Sequence, residues 1–271
     1  MLRFRSLRSG SSGNLLLLEG SHGRHVSRVL IDCGLRSQQE CERVLEEDIP
    51  LDDGVAGLVV THAHCDHVNY STLRVLGRRK VPVYAHRRTA REITERYWNP
   101  YRVPERVDPN SVTLHRFGDE PFEVGAFTFL PIPVPHAPGV TTHAYLIQHG
   151  RRRILFASDF NDPEAVIPHI YNCDFIYLES NHDLELLRLY FNPASLFHLS
   201  NPAAGLLLQH VIKESRRVPR AVMLAHLSED RNRPHIALAT VRKALGAEMA
   251  EQLPLITAPR YKPSEPVVVA D

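Results

Sequence analysis

The stretch THAHCDH, residues 61–67, places His62, His64, Asp66 and His67 within six positions, directly after the apolar run VAGLVV. Imidazole and carboxylate are the usual ligands of zinc, manganese and non-haem iron. In an extended turn, side chains two apart point the same way, so His62 and His64 can grip one ion from one side. Asp66 and His67 follow where the chain turns toward the next helix and can face a second ion. The competing reading is a solvated polar loop. Burying so many polar groups after a core strand without a partner would be costly, which favours metal.

The elements that position these groups follow from pattern. Short apolar runs predict strands over 14–20, 28–32, 57–62, 81–86, 127–134, 141–149, 153–159, 175–180 and 220–226. Helical periodicity covers 37–48, 71–79, 87–98, 201–215 and 233–245. Ser37 and Asn201 are expected N-caps, and Pro202 and Pro234 suit a first helical turn. Strands interleaved with helices predict an α/β fold of two mixed sheets packed face to face, with helices outside. One domain over 1–257 is the simplest division. The proline-rich tail, 258–271, is expected on the surface or partly disordered.

HxHxDH after a strand resembles the hallmark of the metallo-β-lactamase superfamily, and the likeness runs from LIDCG (30–34) to LAHLS (224–228). It implies an αββα sandwich with two divalent ions, zinc or manganese with iron also compatible, at strand ends. It implies three further ligands: His136 in PIPVPHAPG, a bridging Asp159 in LFASDF, and His226 in VMLAHLS. One ion would then take His62, His64, His136 and Asp159; the other would take Asp66, His67, Asp159 and His226. Each later ligand ends an apolar run. β-Lactamases of the best-known type carry cysteine where this chain has Asp159, a pattern shared instead by phosphodiesterases and thioester hydrolases. Cys65 reads as packing or as a neighbour of the ligands rather than a ligand, and Asp32 as a hydrogen-bonding residue beside the site. The motif commonly continues to glycine; here the position is Tyr70, expected to reshape the following helix start.

SGSSGN (9–14), LESNHD (178–183), FHLSN (197–201) and LAHLSED (224–230) resemble the WalJ/YycJ-type branch, whose members are associated with DNA exonuclease activity from the five-prime end. On that resemblance Ser9, Ser11, Ser12 and Asn14 are candidate substrate-phosphate contacts, against a plain hairpin turn. FHLSN is also similar to the motif of tRNase Z, in which a histidine paired with a glutamate protonates the leaving oxygen. His198 and Glu179 match, and with Asp66 they are the candidate catalytic residues. Phe197 stands where the branch often has glycine.

Composition narrows the partners. The chain has 271 residues and a net charge of +1, so no global field selects a ligand. Between Arg74 and Arg116, however, eleven Lys or Arg face four acidic residues, with Tyr97, Trp98 and Tyr101 interleaved. That suits phosphate tracking and base stacking on nucleic acid; a solvated arginine-rich helix is the bland alternative. Arg151–Arg153 after Gly150 reads as a hairpin tip. No run of about 18 apolar residues appears, so no membrane span is expected. The N-terminus lacks a secretory pattern and the four cysteines form no framework, which points to the cytosol. The resulting expectation is a metal-dependent phosphodiesterase acting on DNA, with a thioester or other small-molecule hydrolase as the alternative and a non-enzymatic nucleic-acid binder as the third reading. Oligomeric state stays open.

Overall fold

The computed structural model describes residues 1–23, 25–49, 54–98 and 111–270. In chain order the elements are β1 (Leu2–Arg8), β2 (Leu15–His22), β3 (His25–Cys33), α1 (Gln38–Glu47), β4 (Gly57–Val60), α2 (Tyr70–Arg78), β5 (Val83–His86), α3 (Arg87–Tyr97), β6 (Leu114–Phe117), β7 (Phe122–Val124) and β8 (Phe127–Val134). There follow β9 (Thr142–His149), β10 (Arg152–Ala157), α4 (Ile167–Ile170), β11 (Phe175–Glu179), α5 (Leu184–Leu189), α6 (Asn201–Glu214), β12 (Ala221–Ala225), α7 (Pro234–Leu245), α8 (Ala247–Gln252), β13 (Leu255–Thr257) and β14 (Val267–Ala270). The chain divides into two compact units, Met1–Thr128 with Pro259–Asp271, and Phe129–Ala258.

The first unit is built on a seven-stranded sheet in the order β14-β1-β2-β3-β4-β5-β6. β14 through β3 pair antiparallel, and β3 through β6 pair parallel. Leu15 to Leu18 and Leu58 to Val60 are all buried, so both faces of β2 and β4 are covered. That explains why they read as continuous apolar runs rather than alternating ones. α1 and α2 bury Val44, Leu45, Leu73 and Leu76 in the same core. Ser37 caps α1 as expected, its Oγ accepting from the Glu40 N–H at 3.1 Å.

The second sheet runs β13-β12-β11-β10-β9-β8-β7. β10, β11, β12 and β13 are parallel, and β9 joins β10 antiparallel through the Gly150 turn, whose φ is +56°. α6 and α7 approach closely at Gly205, where a Cβ would meet the Ala244 Cβ at 2.6 Å. No helix among the described residues is long and apolar enough to cross a membrane.

Two expectations are corrected. Residues 258–270 reach the surface, with Tyr261, Lys262, Glu265 and Pro266 exposed, but they are not disordered: β14 pairs with β1, and the Ser264 N–H donates to the Ser6 carbonyl at 2.7 Å. A strand whose partner begins the chain leaves no local signal. Asn201 is not the N-cap of α6. Ser200 is, accepting from the Ala203 N–H, while Asn201 turns inward, its Oδ1 accepting from Ser180 Oγ at 2.6 Å and from Asn232 Nδ2 at 2.8 Å.

Candidate metal centre

Asp32, His62, Asp159, Glu179 and His226 stand at or just past the C-terminal ends of strands that pair in parallel, where open α/β sheets place their sites. In the first unit β4 delivers Thr61 and His62, and β3 delivers Asp32. Asp32 is fully buried and accepts three groups: the Thr61 N–H at 2.8 Å, Thr61 Oγ1 at 2.9 Å and His67 Nδ1–H at 2.7 Å. Burial pushes its carboxyl up, against the pull of His67. With Nδ1–H so committed, His67 carries its lone pair on Nε2. His62 likewise turns Nδ1 to Thr61 Oγ1 at 2.9 Å, and its Nε2 lies 2.9 Å from His64 Nδ1. Two ligand atoms on a tetrahedron with metal–nitrogen bonds of about 2.0–2.1 Å lie roughly 3.3 Å apart. The His62–His64 pair therefore suits one ion with a small opening. Asp32 is the oriented carboxylate behind a histidine that metal sites characteristically employ.

Backbone approach makes this loop possible. A Cβ at Gly34 would overlap the Asp66 carbonyl, so only glycine lets the chain leaving β3 pass the candidate metal-binding turn. Asn14 closes the same contact from the other side. Its N–H donates to the Asp66 carbonyl at 2.8 Å, its Nδ2 lies 3.0 Å from His67 Nε2, and its Oδ1 accepts from the Gly10 N–H at 2.8 Å.

In the second unit, β8, β10, β11 and β12 end near His136, Asp159, Glu179 and His226. His136 Nδ1–H donates to the Phe197 carbonyl at 3.0 Å, which leaves its lone pair on Nε2, 3.9 Å from Asp159 Oδ1. Burial lowers the His136 pKa and outweighs Asp159, so the ring is a neutral ligand-type imidazole. Asp159 Oδ1 also lies 3.5 Å from His226 Nδ1. Fully buried Glu179 organises the rest. Its Oε1 accepts from His198 Nδ1–H at 2.7 Å and His226 Nδ1–H at 3.0 Å; its Oε2 accepts from the Phe160 and Leu199 N–H groups at 3.0 and 3.1 Å. Burial, the largest single effect, pushes this carboxyl up, but His198 and the hydrogen bond from His226 together outweigh it and hold it down at about 2. Reciprocally, burial pulls His198 down, yet Glu179 outweighs it and raises the imidazole. Ligand-type atoms of Asp159, Glu179, His198 and His226 all lie within 4.8 Å of one another.

Asp32, Asp159 and His226 share a further property: φ values of +55°, +59° and +51°. Left-handed backbone at non-glycine residues costs of order 1–3 kcal/mol each and persists where surrounding structure over-determines it. All three are buried, Asp32 in the first unit and Asp159 and His226 in the second.

The substrate candidates separate. Ser11 and Ser12 line a cavity of about 460 Å³ with Asp66 and Tyr70, whereas Ser9 and Asn14 are buried, at 3% and 2% exposure. Tyr70 is the first residue of α2, and Asn69 before it forms a capping box with Thr72. The helix start is therefore regular despite the bulk. Phe197 contributes through its carbonyl, which any residue supplies. Cys65 is exposed on the same turn and free. His182, from LESNHD, is buried with its pKa lowered by burial, and its carbonyl accepts from the Asn201 N–H.

Three contributors escaped sequence reasoning. Asn181 donates to the His226 carbonyl at 2.8 Å, Arg96 Nη1 donates to the Ala63 carbonyl inside the metal motif at 2.8 Å, and Arg36 lines the cavity. The basic segment is also more neutral than it reads. Arg78 and Arg79 pair with Glu42 and Glu46 of α1, Arg87 with Asp119 and Arg91 with Glu95. Tyr97 donates to the Val68 carbonyl at 2.8 Å, and Trp98 packs on the core. Tyr101, Arg102 and Arg106 lie outside the described residues.

Comparison with known proteins follows the same outline. Residues 27–227 match the family model described as the beta-lactamase superfamily domain. The chain is 30% identical over 260 residues to exodeoxyribonuclease YycJ of Bacillus anthracis, covering 90% of this chain and 89% of that protein. Among solved structures it resembles the metallo-beta-lactamase fold protein YhfI from Bacillus subtilis, with a TM-score of 0.68, 18% identity and coverage of 97% and 99%. The short form of human tRNase Z matches with a TM-score of 0.60, 11% identity and coverage of 99% and 100%. These structures establish the fold: two mixed seven-stranded sheets flanked by helices.

Proposed function

The chain belongs to the beta-lactamase superfamily and is a metal-dependent hydrolase of that fold; on that premise we propose that it is a phosphodiesterase that degrades DNA from an end. The name of its Bacillus anthracis relative supports the substrate, and the Glu179–His198 pair at 2.7 Å carries the chemistry. Hydrolysis of a phosphodiester expels an alkoxide that needs a proton. His198 supplies it from Nε2, and Glu179 keeps that imidazole charged near neutral pH.

The family pattern would give His62, His64, His136 and Asp159 to one ion, and Asp66, His67, Asp159 and His226 to the other. Nitrogen and oxygen donors without sulfur suit zinc, manganese or iron. When bound, two such ions supply Lewis acidity that activates water and neutralises developing charge on the phosphoryl oxygens. Asp32 holds His67, Phe197 holds His136, and Glu179 holds His226, so each ring presents Nε2. Asp66 serves as both ligand and reaction-site carboxylate. The proton His198 gives to the leaving oxygen is replaced from water after product departs. Four free cysteines suit a cytosolic setting for such an enzyme.

The test is cleavage of end-labelled DNA and RNA under zinc, manganese and magnesium, with His198→Ala alongside. The reading expects metal-dependent DNA degradation reduced about 10²–10⁴-fold by the substitution. Thioester hydrolysis that survives His198→Ala, with no nucleic acid cleaved, would replace this reading with that of a small-molecule hydrolase.

A further inference from the structure

The second unit exposes one apolar surface that its own core does not use. Leu184, Leu189, Tyr190, Phe191 and Leu196 are between 45% and 73% exposed, and Pro193 and Ala194 among them are exposed too. All come from a single stretch, 184–196, made of α5 and the short 3-10 turn Pro193–Phe197. The unit's other exposed large apolar side chains, Leu206, Val218 and Ile256, stand singly, as scattered surface residues commonly do. The stretch is firmly held. Leu187 is buried beneath it, Asp183 Oδ1 accepts from the Glu185 and Leu186 N–H groups at 3.0 Å, and the Leu196 carbonyl accepts from Asn161 Nδ2 at 2.9 Å. At about 150–200 Å² per large apolar side chain, the five leave roughly 450–600 Å² facing water. Apolar surface of that extent in one place marks an interaction site.

The charges select the occupant. α5 has the sequence LELLRL, which runs alike from either end except that the two charges are opposite. Its exposed face is Leu184, Glu185, Arg188 and Leu189, neighbours on a helix at i, i+1, i+4 and i+5. The Glu185 and Arg188 side chains have no hydrogen-bond or ion-pair partner among the described residues. With a second α5 laid antiparallel across a two-fold axis between Leu186 and Leu187, Glu185 of each copy meets Arg188 of the other, and Leu184 of each meets Leu189 of the other. We propose that this surface joins two copies of the chain in a two-fold dimer, with α5 packed antiparallel on its counterpart. An isologous contact requires a patch that complements itself, and this one does so in charge and in apolar pairing. The area agrees. A stable interface buries about 800 Å² per partner, and homodimer interfaces are about 65% apolar, which is roughly 520 Å² a side. A nucleic acid or an acidic partner would meet one glutamate for each arginine and gain nothing from charge. None of residues 184–196 is a candidate ligand or proton donor, so the dimer does not depend on the nuclease reading.

The experiment is sedimentation equilibrium of the full chain over a range of concentrations, with circular dichroism melts to show that each variant is folded. The wild type should dimerise with a Kd in the micromolar range or tighter. Glu185→Arg and Arg188→Glu each turn two attractive contacts into two repulsive ones, and each should weaken the dimer about tenfold or more. Mixed in equal amounts, these two variants regain both opposite-charge contacts, so a heterodimer should form with close to wild-type affinity. Leu189→Ala, felt twice across the axis, should also weaken association about tenfold or more. A wild type that stays monomeric well above micromolar concentration overturns the proposal. So does a dimer that all three variants leave intact, or charge variants that fail to recover on mixing. A monomer whose affinity for DNA falls in Leu189→Ala would assign the surface to the substrate instead, and the dimer would be wrong.

Discussion

Glu179→Gln removes one charge from the most connected side chain of the candidate centre while preserving its size. The carboxylate accepts four hydrogen bonds, two from imidazole Nδ1–H groups on Oε1 and two from backbone N–H groups on Oε2. An amide can accept on one side only. Turned with its NH₂ toward Phe160 and Leu199 it strands two backbone donors; turned with its NH₂ toward the rings it is matched only if His198 and His226 give up their Nδ1 protons, which removes the charge on His198. Breaking a buried charged pair costs about 3–5 kcal/mol, and for a unit of this size that is a fall in Tm of roughly 6–20 °C. The fold should survive, since domain stability is of order 5–15 kcal/mol. The kinetic consequence has a definite sign. Glu179 raises the His198 pKa, so the protonated acid is present below that pKa and is lost as pH rises through it. Without the carboxylate the pKa falls and the alkaline limb of kcat moves to lower pH. The rate deficit, about 10–100-fold on the alkaline side as part of the general-acid contribution, should shrink as pH is lowered. A folded, metal-loaded Glu179→Gln enzyme with an unmoved alkaline limb, or a deficit constant across pH, would refute the assignment of His198 as the acid held by Glu179.

Other expectations are checked more simply. Asp32→Asn should weaken metal retention about 10–100-fold in chelator competition, because His67 loses the acceptor that fixes its Nε2 toward the ion. Gly34→Ala should push the Asp66 carbonyl away, costing about 1–3 kcal/mol in denaturant melts and lowering bound metal measured by atomic emission. Ser200→Ala should cost about 1 kcal/mol as a lost N-cap. Asn201→Ala should cost more, about 2–3 kcal/mol, since it strands buried groups of Ser180 and Asn232; equal losses from the two would contradict the cap assignment.

Much of this was legible in the residues, and the exceptions have physical reasons. LLLL at 15–18 and GLVV at 57–60 announce covered strands because both faces are apolar, and HxHxDH directly after the latter announces the candidate ligands. β1 hides because LRFRSLR sets its three apolar residues, Leu2, Phe4 and Leu7, among arginines and breaks their alternation at Ser6, just before a glycine-rich turn. β14 hides because its partner lies at the opposite chain end. The charge of the Arg74–Arg116 segment was overread because Glu42 and Glu46, which neutralise Arg78 and Arg79, sit on a different helix. Glu179 was legible as the partner of His198 but not as that of His226. The second contact depends on parallel register, Glu179 opposite Ala225, which brings the next residue of β12's exit alongside. Pairings across strands and helices are settled by tertiary contacts, and no local window carries them.

The central claim is that this chain hydrolyses DNA with metal ions held by its His/Asp ligands and a proton from His198. Its most direct test is a metal titration of the metal-free protein, following both ion binding and release of label from end-labelled duplex DNA. The account predicts cleavage that rises to a plateau at two ions per chain and is abolished by His64→Ala, with binding then reduced to fewer ions. Saturation of both sites with no DNA cleaved under zinc, manganese or magnesium, or cleavage undiminished in His64→Ala, would contradict it.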